Sequence, residues 1–457
     1  MSSPQDFVEH GLATSTADDC MVIVRARSSA NLRWANNTLT TNGVMSGSDV
    51  TVISFVGGAT ASVSGSVTTT AGVTALVEAA DSAARAAEPA EDANELVRDR
   101  VSTDWDHAPV PTDIHVYDAV APALGEAFGR ARSAGRILYG FVNHEVTTTY
   151  LGSSTGLRLR HVQPTGHVGC TGKTADLTSS AWVGAATRDF TDVDPLALDA
   201  ELAQRLAWAE RRVDLPAGRY DTILPPAAMA DLMIDAYWYA GARVAHEGQS
   251  VYSRRGGGTR IGERLGREGV RLYSDPTAPG LECLPFALTA SSSNEASVFD
   301  NGLPLERTDW IRDGELTALL QTRHSAAMTG QPLTPAIDNL LLSVDGATGS
   351  IEELVAGTER GLLLTCLWYI REVDPQTLLL TGLTRDGVYL VENGEITGAV
   401  NNFRFNESPV DILQRFTHAS SSVPAFSREW GDDYFSRTHM PALRVPDFNM
   451  SSVSQAQ

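Results

Sequence analysis

One segment divides the chain and organises its fold: Pro216-Ala217-Gly218-Arg219-Tyr220-Asp221-Thr222-Ile223-Leu224-Pro225. Its opening proline and glycine interrupt the preceding helical pattern, since both residue types are typical of turns. The apolar run that follows ends at two consecutive prolines, Pro225 and Pro226, and a helical pattern then extends from Ala227 to His246. We therefore place a domain boundary between residues 215 and 216 and expect a central helix directly after it.

The residues before this segment combine strands with helices. Alternating or β-branched stretches predict strands at 21–24, 32–39, 50–63, 137–142, 146–151 and 156–162. Helical spacing predicts helices at 73–87, 122–132 and 194–212. These patterns indicate an N-terminal α+β domain over residues 1–215, with an antiparallel sheet and helices, which could divide into two subdomains near residue 100.

The residues after the segment are mostly short strands separated by Gly, Asn and Pro. One further helix is expected near 350–357, because Ser350 is followed by Glu353 three residues later, the spacing of a capping box. The sequence therefore predicts a β-rich C-terminal domain over residues 216–457 and an α+β fold for the whole chain.

The composition limits the classes of function. The 457 residues include 35 Lys and Arg against 56 Asp and Glu, so the formal net charge is −21. A nucleic-acid surface needs clustered cations, so we expect no nucleic-acid partner. The longest strongly apolar stretch, 361–370, is too short to span a bilayer, and no secretory pattern opens the chain. We expect a cytoplasmic protein with no membrane partner.

A glycine-rich stretch holds the only lysine of the chain: Gly169-Cys170-Thr171-Gly172-Lys173-Thr174. It resembles the end of a phosphate-binding loop, but the full pattern requires a glycine where His167 stands. A glycine-rich turn is therefore favoured over a nucleotide site.

Other partial metal motifs are equally incomplete. His161, His167 and Cys170 could in principle ligate zinc, but no fourth ligand accompanies them, and a loop with incidental polar residues is favoured. The His-Glu pairs at 144–145 and 246–247 lack the second histidine of a zinc peptidase helix. Read residue by residue, the chain shows no complete catalytic or metal constellation.

An ordered series of segments nevertheless resembles a known family. After the segment at 216–225 come Arg260-Ile261-Gly262-Glu263-Arg264, then Phe299-Asp300-Asn301-Gly302-Leu303-Pro304, Ile311-Arg312-Asp313-Gly314-Glu315-Leu316 and Gly387-Val388-Tyr389-Leu390-Val391-Glu392-Asn393-Gly394. This order is similar to that of the TldD/PmbA (TldE) family, the modulators of DNA gyrase. The resemblance is dense from about residue 215 to 406.

The resemblance implies a division between two kinds of subunit. TldD-like chains carry His-Glu-x-x-x-His on the central helix and a cysteine near the C-terminus, which form a zinc peptidase site. Here the corresponding positions are Ile234, Asp235, Tyr239 and Trp430. Apolar and aromatic side chains cannot serve as zinc ligands. The chain therefore resembles the metal-free PmbA/TldE-type subunit, with no catalytic residue or metal ligand of its own.

The resemblance further implies a heterodimer or higher oligomer with a TldD-like, zinc-bearing homologue that processes unfolded peptides. In that setting, cleft or interface roles are open to Tyr237, Trp238, Gly262, Glu263, Asp300 and Asn301, although turn-forming roles are favoured for the last four. Two alternatives remain open. The chain could be a peptide-binding or scaffold protein without a peptidase partner, or a self-sufficient hydrolase with an unrecognised site.

Overall fold

The computed structural model describes residues 2–431 and 437–454, and it has about 23% helix and 40% strand. The α+β prediction is therefore confirmed. Within the described residues, no helix has the length and apolar composition that crossing a bilayer requires.

The N-terminal half is built on one antiparallel sheet. Its strands are β1 (Asp19–Ala35), β2 (Thr38–Val56), β3 (Ala59–Ser66), β4 (Arg136–Ser153), β5 (Arg158–Thr174) and β6 (Ser180–Thr187). They lie in the order β3-β2-β1-β4-β5-β6, and every neighbouring pair is antiparallel. The helices of this half are α1 (Pro4–Thr14), α2 (Thr70–Ala86), α3 (Val120–Ser133) and α4 (Pro195–Trp208), with a 3-10 turn at Ile114–Tyr117.

The two faces of this sheet have different coverings. Side chains alternate between faces along a strand, so Val22 and Leu32 of β1 lie on the same face. That face packs against α1 and α2 at one end and α3 and α4 at the other. The opposite face, represented by Ile23 and Leu151, packs against Phe299 of the C-terminal half. The end of the sheet that carries Ile23 is thus covered on both faces, whereas residues 38–47 of β2 are mostly exposed.

The described part of the C-terminal half contains two further sheets and five helices. The helices are α5 (Pro226–Trp238), α6 (Ala242–His246), α7 (Arg323–Thr329), α8 (Ile351–Ala356) and α9 (Pro409–Arg415), with a 3-10 turn at Val298–Asp300. The strands of the smaller sheet are β9 (Val270–Ser274), β10 (Thr308–Arg312), β11 (Glu315–Leu316), β12 (Leu340–Val344), β18 (Val423–Ala425) and β19 (Thr438–Met440). Their order is β11-β10-β9-β12-β19-β18.

The larger sheet curls on itself. Its strands are β7 (Arg212–Val213), β8 (Gly218–Leu224), β13 (Arg360–Asp374), β14 (Leu379–Glu392), β15 (Glu395–Val400), β16 (Phe403–Glu407), β17 (His418–Ala419) and β20 (Leu443–Val453). The path β13-β8-β20-β16-β14 closes because β14 also pairs with β13. Helix α5 packs between this ring and the smaller sheet, against β13, β18 and β19. It lies in the largest hydrophobic core of the molecule.

Several predicted boundaries are wrong, for identifiable reasons. The central helix ends at Trp238 and a separate helix begins at Ala242, because the backbone around Gly241 pairs with Leu320 instead of continuing the helix. The strands expected at 137–142 and 146–151 are one strand, since the residues between them also pair with β1 and β5. The first helix was missed, although Ser3 caps it and Asp6 completes the capping box.

Two smaller predictions also need correction. The helix near residue 350 exists, but the Ser350 side chain makes no capping hydrogen bond, so the capping box does not form. The stretch 169–174 is not a turn, because it pairs with β4 and β6 along its length and forms the end of β5. The domain boundary at 215/216 stays a prediction.

Candidate functional site

Helix α5 is buried on all sides. Residues 228–237 are all buried, so the helix lacks the polar stripe that an amphipathic surface helix shows. It nevertheless carries two acidic side chains one turn apart, Asp231 and Asp235, which are 0% and 5% exposed. Buried carboxyl groups need partners, so these two residues mark the polar centre of the region.

Trp430 lies directly against this helix. Its indole Nε1 donates a 3.1 Å hydrogen bond to the backbone carbonyl of Asp231. Its ring lies 4.9 Å from that of Trp238, at an interplanar angle of 66°. The structure therefore brings together the helix and the C-terminal position that the sequence analysis had singled out separately.

A third carboxylate joins the two helix acids. The Glu429 carboxylate accepts backbone N–H hydrogen bonds from Tyr369 at 3.1 Å and Ile370 at 3.0 Å. The Asp231 Oδ1 atom accepts from the Ser427 hydroxyl at 2.5 Å and from the Glu429 N–H at 3.1 Å. The Oδ2 atoms of Asp231 and Asp235 are buried and have no hydrogen-bond partner among the described residues.

Burial controls the protonation of this carboxylate cluster, defined as Asp231, Asp235 and Glu429. Desolvation raises the pKa of Asp231 to about 8, even though the Ser427 hydroxyl opposes it. Desolvation also raises the pKa of Asp235 to about 7, and the negative charge of Glu429 adds to the effect. The pKa of Glu429 rises for the same first reason, burial. Burial therefore favours the protonated forms of Asp231 and Asp235 up to about neutral pH.

The other positions of the degenerate motif lie elsewhere around the helix. Ile234 is fully buried in the hydrophobic core. Tyr239 is half-buried after the last turn of α5, and desolvation raises the pKa of its phenol to about 12. Within residues 2–431 and 437–454, no group of three or more His, Cys, Asp or Glu side chains is arranged to hold a metal ion.

The two aromatic candidates of the central helix have different surroundings. Tyr237 is 3% exposed, and its hydroxyl accepts a 2.8 Å hydrogen bond from the Ile337 N–H while donating to the Ile337 carbonyl. Its ring meets Trp310 edge to face at 5.3 Å. Trp238 is only partly buried and packs beside Trp430. Tyr237 thus ties the helix to the smaller sheet, while Trp238 borders the carboxylate cluster.

The four remaining candidates stabilise loops. Asn301 brackets the backbone of Thr289, accepting from its N–H at 2.6 Å and donating to its carbonyl at 2.9 Å. Asp300 pairs with the Arg323 guanidinium at 2.5 Å. Gly262 has a φ of +89°, which only glycine adopts without strain, and Glu263 beside it forms exposed ion pairs. These contacts join residues of neighbouring loops in the C-terminal half and hold the conformation of the backbone there.

The histidines and cysteine of β5 do not converge. His161 and His167 lie on one face of the strand, six residues or about 20 Å apart, while Cys170 points to the other face. His167 stacks on Phe426 at 5.4 Å, and the Cys170 thiol lies in the core beneath α3 and α4. The zinc alternative considered for these three residues has no geometric support.

A cationic side chain next to the carboxylate cluster joins the two halves of the chain. The Arg428 guanidinium lies 4.8 Å from the ring centroids of both Trp182 of β6 and Trp368 of β13. It forms a 2.5 Å ion pair with Asp386 and a 2.9 Å contact with the Cys366 sulfur. Arg428 therefore links the N-terminal sheet to the ring of the larger sheet.

Four residues of this region were not predicted from the sequence: Asp231, Glu429, Arg428 and Asp386. Asp231 could have been predicted, because it lies one turn before Asp235 on a helix that is otherwise apolar. If such a helix is buried, both acids are buried with it. The other three lie in loops or at a strand bulge, where no periodicity indicates burial. Only their contacts reveal them.

Two family models match separate parts of the chain, one in the N-terminal half and one in the C-terminal half. The family described as "PmbA/TldA metallopeptidase C-terminal domain" matches residues 217–452. The family described as "PmbA/TldA metallopeptidase domain 1" matches residues 20–87. Among curated proteins, none is significantly similar to this sequence.

Solved structures share the fold over nearly the whole chain. TldE from Thermococcus kodakarensis superposes with a TM-score of 0.76 at 15% identity, covering 98% of this chain and 99% of its own. A protein described as a modulator of DNA gyrase, from Thermotoga maritima, gives 0.75 at 16% identity, covering 97% and 99%. A protein with a similar description from Bacteroides thetaiotaomicron gives 0.74 at 13% identity, covering 98% of each. At such identities the likeness establishes the fold alone.

Proposed function

The chain belongs to the PmbA/TldD family of metallopeptidase-related proteins, and from that premise we propose that it is the non-zinc subunit of a TldD/TldE-type peptidase complex. The zinc and the catalytic glutamate would lie on a TldD-like partner. This chain would contribute to the walls of an enclosed cleft that admits unfolded peptides. We place this complex in the cytoplasm, as a heterodimer or a higher oligomer.

One observation carries the proposal: the side chains at the degenerate motif positions do not suit zinc. Ile234 is apolar and packed in the core, and the Trp430 indole nitrogen already donates a hydrogen bond to the helix backbone. Structural and catalytic zinc sites use thiolate, imidazole or carboxylate ligands. Asp235 alone belongs to these ligand types, and burial keeps it protonated up to about pH 7. We therefore assign no reaction step to this chain.

The carboxylate cluster supports the same proposal. Both oxygens of Glu429 accept backbone N–H groups, and one oxygen of Asp231 accepts two hydrogen bonds. Hydrogen bonds of this kind fix the orientation of a carboxylate within the chain. We infer that the cluster has a structural role, in the region where a TldD-like chain would hold its metal.

The decisive experiment is reconstitution with a homologue that carries His-Glu-x-x-x-His. We expect co-purification of the two chains, cleavage of an unfolded peptide by the mixture, and zinc on the homologue. This chain, purified alone with zinc present, should hold well below one tightly bound zinc ion per molecule and should leave the peptide intact.

Matched variants separate the alternatives. Glutamate-to-glutamine substitution in the homologue's motif should abolish cleavage by the mixture, whereas Asp235→Asn in this chain should preserve it. Cleavage by the isolated chain would instead support a self-sufficient hydrolase. Peptide binding without any association with the homologue would support a scaffold protein. Either result would reject the proposal.

A further inference from the structure

A cavity of about 640 Å³ lies between the N-terminal sheet and strand β14. Lys173 of β5 and Ser180 of β6 line it from the N-terminal sheet, and Asp386 lines it from β14. The cavity is distinct from the carboxylate cluster. Arg428 lines it, but Asp231, Asp235 and Glu429 do not.

The lining is cationic in a strongly anionic protein. Among the described residues, the lining contains four cationic side chains and two acidic ones, an excess of two positive charges, whereas the whole chain has a net charge of −21. A concave site lined by one sign of charge concentrates ligands of the opposite sign. The charged residues are Lys173, Arg212, Arg385, Arg428, Asp214 and Asp386.

The internal ion pairs leave two of these cations with unused donors. Asp386 already accepts from Arg428 at 2.5 Å and from the Ser180 hydroxyl at 2.8 Å. The Arg385 Nε atom is 3.7 Å from the same carboxylate and is buried without a hydrogen-bond partner among the described residues. The Arg385 side chain as a whole is 39% exposed, and its terminal N–H groups make no hydrogen bond with any described residue, so they can donate to an acceptor in the cavity.

Lys173 has still fewer contacts. Its ammonium lies 5.8 Å from the ring centroid of Tyr139 and forms no ion pair with any described residue. An ammonium carries three donors and favours a compact anion within reach. The aromatic ring positions the charge at the cavity without neutralising it.

Two residues at this cavity have left-handed backbone conformations. Leu177 and Asp386 both line it, and both have left-handed φ values, 62° and 51°. Leucine rarely adopts this conformation, and its side chain is 58% exposed at the tip of the β5–β6 turn. Strained positions of this kind cluster where a binding site must hold a particular shape.

We propose that this cavity binds an oxyanion, held by the Lys173 ammonium and the Arg385 guanidinium. Carboxylates and phosphates share the necessary chemistry, since each presents paired oxygens to a cation. The terminal carboxylate of a peptide is the source that follows if the proposed function holds, and this choice of source rests on that proposal. The site would then anchor one end of a peptide beside the junction of the two halves.

The single lysine of the chain provides a direct test. An amine-acylating reagent can modify only Lys173 and the α-amino group of the folded full-length chain, and the α-amino group reports general reactivity. Mass spectrometry would follow both sites in the presence of N-acetyl-trialanine, its C-terminal amide, or inorganic phosphate. We expect the free-acid peptide to protect Lys173 selectively and the amide to give no protection.

Variants then test the role of charge. Lys173→Gln should weaken binding of the free-acid peptide, measured by calorimetry, by about tenfold or more, because a charge-assisted hydrogen bond is lost. Lys173→Arg should retain most of the affinity. Arg360→Gln, an exposed arginine outside the cavity, should leave it unchanged.

The outcomes distinguish this inference from the proposed function. Protection by phosphate but not by the peptide supports the oxyanion site and rejects the peptide carboxylate as its source. Equal protection by the peptide acid and its amide, or no protection by either anion, overturns the oxyanion site. Failure of the oxyanion site would not reject the proposed function, because reconstitution with a zinc-bearing homologue tests that function independently.

Discussion

The Trp430 indole and the Asp231 carbonyl, 199 residues apart in sequence, are joined by a 3.1 Å hydrogen bond. The bond fixes the segment around Trp430 to the middle of helix α5. The same segment supplies Ser427 and Glu429, whose contacts orient the Asp231 carboxylate. The shape of this region therefore depends on a loop that is remote in sequence, and each element of the region can be tested separately.

The carboxylate cluster should make stability depend on pH. The folded-state pKa of Asp235 is about 7, whereas its ordinary value is 3.8. Between these values the folded chain holds a proton that the unfolded chain releases, so this group makes the free energy of unfolding fall as the pH rises from about 4 to 7. Asparagine does not titrate. As the pH rises through that window, the free energy of unfolding of Asp235→Asn should therefore fall by less than that of the parent chain, with a difference of at least about 1 kcal/mol.

Denaturant titrations at pH 5 and pH 8 measure this difference. Asp411→Asn, at an exposed position of α9, controls for the loss of one negative charge from the chain. Parallel changes in the free energy of unfolding for the Asp235 variant and the parent chain would contradict the prediction.

Arg428 should be a major stabilising link between the two halves. Its removal leaves Asp386, whose side chain is 8% exposed, without its closest cation, and it also removes two aromatic contacts. We expect Arg428→Ala to lower the free energy of unfolding by about 3 kcal/mol. Arg360→Ala, at a surface ion pair, should change it by less than about 0.5 kcal/mol.

A double-mutant cycle identifies the source of that cost. If the unpaired Asp386 carboxylate accounts for it, then adding Asp386→Asn to Arg428→Ala should restore about 1 kcal/mol or more, as coupled neighbours do. Strict additivity of the two substitutions in denaturant unfolding would argue that aromatic packing, and not the ion pair, dominates.

Introducing the residues of the zinc motif should not give this chain peptidase activity. The variant Ile234→His, Asp235→Glu, Tyr239→His and Trp430→Cys supplies the ligand types of a zinc site. However, His at position 234 would enter a fully buried apolar environment, where its ring nitrogens need partners. The groups that orient zinc-bound imidazoles are also absent, and losing even one such group typically costs about 10–100-fold in affinity or activity.

Zinc affinity and peptide cleavage of the four-residue variant check this prediction. We expect weak zinc binding at most and no appreciable cleavage. Cleavage approaching that of a zinc-bearing homologue would show instead that the surrounding cleft is catalytically intact and that only the ligands differ.

Asn301 should contribute through its hydrogen bonds to the backbone. Asn301→Ala leaves both the N–H and the carbonyl of Thr289 without their partner, so we expect the free energy of unfolding to fall by about 2 kcal/mol. Asn42→Ala, at an exposed position of β2, should change it by less than about 0.5 kcal/mol. Thermal unfolding of both variants would show the contrast, and loss of partner binding by a fully stable Asn301 variant would indicate an interface role instead.

Local patterns were sufficient to predict much of the fold. Helix α2 was expected at 73–87 and is found at Thr70–Ala86, because Val73, Val77 and Ala84 repeat at helical spacing along its buried face. The long strand β4 was expected as two strands, since Asn143 and Glu145 interrupt its apolar pattern. Hydrogen bonds to β1 and β5 override that local preference, and they come from residues far away in the chain.

The sequence by itself determined the α+β class, the family, and the side-chain chemistry at Ile234, Tyr239 and Trp430, because each depends on residue identity and local order. Only the tertiary structure decided that Asp231, Asp235 and Glu429 form one buried cluster, and that Lys173 and Arg385 line one cavity. The physical reason is that burial and charge proximity set the pKa and the donor capacity of a side chain. Both arise from packing between segments that are remote in sequence.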